Sequence, residues 1–133
     1  MNQKRLQQLE NNIRELKKIR NSWDIGDIKG DKSKEWSLRY GLLESLQVVI
    51  DIACHQVAEK NMGSAETYSE CFELLKENGY IDEEMNDTFK RMVGVRNILV
   101  HEYVTVDLDR LYGMLNQLDD FSKFAQIARN KFK

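Results

Sequence analysis

Apolar residues recur every three or four positions along almost the whole chain, the period of amphipathic helices. Leu6, Leu9, Ile13, Leu16, Ile19 and Trp23 form one such stripe and predict a long first helix. Asp24 to Asp31, carrying Gly26 and Gly30, breaks the pattern and reads as a loop. Ser33 is placed to cap a second helix through Trp36, Tyr40, Leu43, Leu46, Ile50, Ala53 and Val57, closed by Gly63 and Ser64. Leu42, Val48, Val49 and Ile52 widen its stripe, so this helix is expected to be the most buried. Thr67 and Glu70 match a capping box for a short third helix stopped at Gly79. Asp82 opens a fourth helix running to Val100, and Val104-Thr105-Val106, β-branched and poor in helix propensity, marks a break. Asp107 caps a fifth, with Leu108, Leu111, Leu115, Leu118, Phe121, Ala125 and Ala128. No segment reads as a strand. The expected fold is all-α, a single up-and-down bundle of four long helices and one short one, with residues 1–133 forming one domain.

Composition narrows the function classes. The 133 residues are 41% hydrophobic and 32% charged, enough to build one core. No apolar run reaches the roughly 18 residues of a membrane span, and the start, Met1-Asn2-Gln3-Lys4-Arg5, does not read as a signal peptide. Two cysteines, Cys54 and Cys71, fall short of a disulfide scaffold and predict reduced thiols in a cytoplasmic protein. Two histidines and two cysteines without ligand spacing give no metal site, and no cofactor is expected. The net charge of −2 means that nucleic acid would have to be held by a local patch. Basic side chains crowd residues 1–34 and the last eleven positions, whereas 66–87 is acidic. The basic ends are therefore the better candidates for an RNA backbone, and the acidic face is expected to turn away or to meet a protein partner.

The polar cluster that stands out is Arg96-Asn97-Ile98-Leu99-Val100-His101-Glu102-Tyr103, at the end of the fourth helix. An arginine presents a planar fork of donors suited to a phosphate, a histidine exchanges protons near neutral pH, and a tyrosine hydroxyl donates, accepts or is modified. These groups suit phosphodiester chemistry on RNA, where the 2′-hydroxyl is a built-in nucleophile. On an ideal helix, however, Arg96 and His101 lie about 140° apart. Meeting requires a π-bulge, an early helix end, or two chains pooling their residues across a two-fold axis. A bland reading stays open on the residues alone: Arg96 pairs with Glu44 or Glu102, and His101 is a cation favoured by the helix dipole.

Elsewhere, Asp51 and His55 are one turn apart and suggest a helix pair. Gly94, just before the cluster, suggests close approach of another helix, within the chain or across a dimer. Trp23, Trp36 and Tyr40 fall on apolar stripes and read as core or interface. Tyr68, Tyr80 and Tyr112 make no stronger claim.

The frame Met92-Val93-Gly94-Val95-Arg96-Asn97-Ile98-Leu99-Val100-His101-Glu102-Tyr103, followed by Asp107, resembles the signature of the HepT-like ribonucleases of the HEPN superfamily: Arg, any four residues, His, one residue, Tyr. The likeness runs through Leu38-Arg39-Tyr40-Gly41-Leu42-Leu43-Glu44-Ser45-Leu46, Asp51-Ile52-Ala53-Cys54-His55, Thr67-Tyr68, Phe72, Leu74-Leu75 and Gly79-Tyr80-Ile81, about residues 35–125. One departure is Ser64-Ala65-Glu66, where the family often carries a proline.

The resemblance implies an α-helical homodimer and a metal-independent endoribonuclease. It implies the toxin of a type VII-like HEPN/MNT toxin–antitoxin pair, silenced when an MNT-type nucleotidyltransferase adds AMP to the motif tyrosine. Carried over, Arg96 and His101 are catalytic, Asn97 and Tyr103 support them, and Tyr103 accepts AMP. The alternative is a HEPN module that binds RNA, nucleotide or a nucleotidyltransferase without cutting. A third reading is a helical dimer whose motif serves only the interface.

Overall fold

The computed structural model describes residues 3–101 and 106–132. Its helices are α1 (Gln3–Ser22), α2 (Ile25–Gly30), α3 (Lys32–Glu59), α4 (Tyr68–Glu77), α5 (Glu83–His101), α6 (Leu108–Gly113) and α7 (Leu118–Lys131), with a 3₁₀ turn at Met114–Gln117. The architecture is the all-α bundle that the periodicity predicts. Among the described residues no helix is long and apolar enough to cross a membrane.

α1 lies antiparallel on α3: Leu16 sits over Gly41, while Gln8 and Asn12 donate to the Glu44 carboxylate at 2.8 and 3.0 Å. A Cβ at Gly41 would come within 3.1 Å of Leu16 Cδ2, so this glycine, inside a helix, sets how closely the two axes approach. α3 is the most buried long helix, with Leu38, Leu42, Leu46, Val49, Ile52 and Ala53 sunk in the core. α4 and α5 form an antiparallel pair beside it. Phe72 of α4 stacks on Phe89 of α5 at 5.2 Å between ring centres, and Phe121 and Phe124 of α7 meet Phe89 edge-on. Truncating Phe89, fully enclosed by these rings, would cost about 3–5 kcal/mol.

The boundaries follow local chemistry, with four departures from expectation. The 24–31 segment is helical: Asp24 and Asp27 cap each other's backbone N–H groups and Ile28 is completely buried, which outweighs the two glycines. The cap of α3 is Asp31, whose side chain accepts from the Ser33 N–H. Its end is set at Asn61, in the left-handed region at φ 50, with Met62 N–H bonded to Val57 C=O, ahead of Gly63 and Ser64. The predicted fifth helix is divided at Gly113, where a missing side chain weakens helix by about 1 kcal/mol, and the chain tightens into the 3₁₀ turn before α7. Other stops and starts are as predicted: Asp82 accepts from Met85 N–H at 2.8 Å, Asp107 caps α6, and Thr67 accepts from Glu70 N–H at 3.2 Å. Gly79, at φ 80, ends α4 with Tyr80 N–H bonded to Leu75 C=O.

The expectation of reduced thiols is overturned. Cys54 of α3 and Cys71 of α4 form a disulfide across the helix pair, with Cα atoms 5.1 Å apart. The spacing of 17 residues hid this contact, because only the packing of α4 on α3 brings the two side chains together.

Candidate functional site

The site is built on the C-terminal half of α5. Val95 and Leu99 bury one face of that helix, which fixes its rotation and turns Arg96, half-buried, towards α3 and α4. Arg96 Nε donates to Gln47 Oε1 of α3 at 2.9 Å, and one of its terminal nitrogens donates to Asn97 Oδ1 at 3.0 Å. Gln47 in turn donates from Nε2 to Asp51 Oδ1 at 2.9 Å. The guanidinium carbon lies 5.1 Å from the centre of the Tyr68 ring, in the first turn of α4. Three helices therefore hold one guanidinium. Each of these partners is neutral, and among the described residues no carboxylate pairs with Arg96. A cation positioned by an amide oxygen and a π face keeps its field for an incoming anion.

The bland reading of Arg96 is thereby narrowed. Glu44 is occupied by Gln8, the Tyr40 hydroxyl and Asn12, which hold its carboxyl below the ordinary range, and Glu44 in turn pushes the Tyr40 hydroxyl up. Glu102, with Tyr103, Val104 and Thr105, lies outside the described residues.

His101 is the last residue of α5 and exposed. α5 runs to it as an unbroken α-helix, so the π-bulge that would bring Arg96 and His101 onto one face is not used. The two stand about 140° apart around the axis. Arg96 and Asn97 are brought together within one chain; His101 is not joined to them by any contact among the described residues.

Other expectations are corrected. Asp51 does not pair with His55; it takes the Gln47 amide, and His55 Nε2 lies 3.9 Å from Glu59. Trp36 and Tyr40 are 61% and 65% exposed and so are not core of this chain. Among the described residues of this chain nothing lies within 4 Å of a Cβ built at Gly94, which leaves it open to a helix of another chain; within the chain the glycine under a neighbouring helix is Gly41. Among the basic ends, Arg129 is committed to Glu10 at 2.5 Å. In the acidic segment Glu73 is surrounded by Lys90, Asn86 and Lys76, which hold its carboxyl at about 2.

Two residues of the site escaped sequence reasoning. Gln47 is a polar, half-buried position inside the widest apolar stripe of the chain, and that interruption was its only signal. Tyr68 falls in the Thr67-Tyr68 match to the family frame, but nothing there marked it as a partner of Arg96. Among the described residues no group of three or more His, Cys, Asp or Glu side chains gathers as metal ligands would.

The chain matches the family described as Ribonuclease HepT-like over residues 9–128. It is 30% identical over 116 residues to the mRNA nuclease HepT of Shewanella oneidensis, covering 86% of this chain and 87% of that one. Its fold is similar to the tri-AMPylated HEPN toxin of the same organism solved in complex with an MNT antitoxin, with a TM-score of 0.86, 26% identity and 96% of each chain covered. It is also similar to a chain of a toxin–antitoxin complex solved with AMP-PNP, with a TM-score of 0.82, 26% identity, and 93% and 94% of the two chains covered.

Proposed function

The chain belongs to the HepT-like ribonuclease family of HEPN toxins, and from that premise we propose that it is a metal-independent endoribonuclease acting as a homodimer. Arg96 holds the scissile phosphate and stabilises the charge that builds on it; Asn97 steadies the guanidinium. The ribose 2′-oxygen attacks the adjacent phosphorus, the bond from phosphorus to the 5′-oxygen breaks, and a 2′,3′-cyclic phosphate and a 5′-hydroxyl result. His101 takes the proton from the 2′-hydroxyl and supplies one to the leaving oxygen. Because one α5 helix presents Arg96 and His101 on different faces, a two-fold pairing of α5 with its mate supplies the missing proximity, and two copies of His101 divide the proton transfers.

The observation that carries this reading is the neutral setting of Arg96 among the described residues, held at 2.9 Å by Gln47 and lying over the Tyr68 ring. A structural arginine on a helical surface usually has a carboxylate partner; one kept in place by amides and a ring is arranged for an external anion. Donors aimed at developing charge are worth about 10²–10³ in rate each. Control is proposed to come from an MNT-type nucleotidyltransferase that adds AMP to the Tyr103 hydroxyl. That adds a negative phosphodiester two residues from His101 and competes with RNA for the same cation.

The test is cleavage of total RNA in EDTA by the purified chain, beside His101→Ala, after intact mass has excluded AMP on Tyr103. Cutting by the unmodified protein and not by the variant is expected. A folded, unmodified dimer that binds RNA without cutting it would transfer the assignment to a non-catalytic binding module.

A further inference from the structure

Beside Arg96 lies an open cavity of about 730 Å³, within the size range of small-molecule sites. Its walls come from three helices and one loop. α3 contributes Cys54, Val57 and Ala58, one helical face at spacings of three and four. α5 contributes Val93 and Asn97, one turn apart, and α4 contributes Tyr68 and Cys71. The loop before α4 closes one end with Gly63, Glu66 and Thr67. Gly63 is required there: it sits at φ 140, and a Cβ would come within 3.1 Å of Leu74.

Two of these lining residues also touch Arg96. Tyr68 carries its guanidinium 5.1 Å from the ring centre, and Asn97 accepts a hydrogen bond from it at 3.0 Å. The cavity and the anion-binding group are thus neighbours across one tyrosine and one asparagine. The lining is wrong for a second phosphate, because none of its described residues is cationic and Glu66 is anionic. It is right for a base. Val57, Val93 and the Cys54–Cys71 disulfide offer an apolar floor, the Tyr68 ring offers a π surface, and Asn97, Thr67 and Glu66 offer donors and acceptors for a base edge.

We propose that the cavity between α3, α4 and α5 is a nucleobase pocket, which takes the unstacked base of the nucleotide whose phosphate Arg96 holds. The proposal rests on the reading of Arg96 as the phosphate-binding residue and deepens it: the substrate is single-stranded RNA, since a paired base cannot enter.

The test uses the full chain carrying His101→Ala, so that nothing is turned over, and titrates inorganic phosphate, adenosine and adenosine 3′-monophosphate by calorimetry. The nucleotide is expected to bind at least about fivefold tighter than phosphate, the low end for one stacked base. Ala58→Trp, at an exposed position of α3 that lines the cavity, should reduce the nucleotide to the affinity of phosphate while leaving phosphate unchanged. Ala65→Trp fills the same space from the loop and guards against a folding artefact in the first variant. Adenosine that binds the parent and not the filled variants, with phosphate binding indifferent to Arg96→Ala, would keep the pocket and sink the phosphate site. A nucleotide no tighter than phosphate, or one whose advantage survives both tryptophans, overturns the pocket.

Discussion

Two charged clusters sit on the α4–α5 side of the bundle, and their surroundings are opposite. Glu73 of α4 meets Lys90 at 2.6 Å and Lys76 at 3.3 Å and takes the Asn86 amide at 2.9 Å, while Lys76 also reaches Glu83. Its charges are matched within the chain. Arg96, farther along α5, is held as firmly, yet by Gln47, Asn97 and Tyr68, none of which carries a charge. The first arrangement spends its charge on joining two helices. The second fixes a cation in place and, among the described residues, leaves its charge unmatched, which is what binding an external phosphodiester requires.

The contrast can be broken at its strongest point. Arg96→Ala should lower RNA cleavage by about 10²–10³, the loss of one donor aimed at developing charge, with little change in melting temperature. Arg96→Lys should recover only part, because an ammonium cannot keep both the Gln47 bond and a fork towards phosphate. If RNA cutting by Arg96→Ala matched the parent, the neutral cage would have no catalytic meaning.

Next in size is the disulfide that ties α4, and with it Tyr68, to α3. It closes a loop of 17 residues, for which loss of the cross-link costs about 3 kcal/mol of stability in the chain-entropy account. Cys54→Ser with Cys71→Ser should therefore melt several degrees lower under non-reducing conditions, and reduced parent should match it. Parent protein melting identically with and without reductant would deny the cross-link a structural role.

Gln47→Glu erases the difference between the two clusters by giving Arg96 a carboxylate partner, which it has none of among the described residues. The expected result is about tenfold weaker cleavage, seen mainly in KM, because the new partner competes with the substrate phosphate; one such tenfold is about 1.4 kcal/mol. An unchanged KM would mean that the neutrality of the Arg96 shell is incidental.

The smallest effect concerns the matched cluster. The Glu73 carboxyl is held at about 2 in the folded chain against an ordinary 4.5, first by Lys90 and then by Asn86 and Lys76. A depressed carboxyl stabilises the fold above pH 4.5, and that contribution is lost as pH falls towards 2. Across that window the melting temperature of the parent should fall slightly more steeply than that of Glu73→Gln, while at pH 7 the two cut RNA equally. The exposure of the cluster keeps the difference small.

Much of the fold was legible in the chain. The stripes of α1, α3, α5 and α7, and the caps at Asp82, Asp107 and Thr67, depend on residues within a few positions of one another, so local order is enough to find them. The misreadings arose where a distant partner decided. Gly26 and Gly30 argued for a loop, but Ile28 is drawn into the core formed by other helices, and the capping pair Asp24 and Asp27 completes a helix there. Asp51 was matched to His55 by spacing alone, yet Gln47, one turn the other way and itself bonded to Arg96, takes it.

For the site, the residue types and their order were set by the sequence: Arg96, Asn97, His101 and Tyr103 in a frame that resembles one family, on a helix whose period keeps Arg96 and His101 apart. What surrounds Arg96 is a tertiary matter. Gln47 lies 49 positions away and Tyr68 lies 28 away, and neither carries a local mark of its role; they meet the guanidinium because the buried faces of α3, α4 and α5 set the rotation of those helices. The same is true of Cys54 and Cys71 and of the cavity above them. A helix period is written in neighbouring residues, whereas a pocket exists only where the faces of separate helices are brought together by burying their opposite sides.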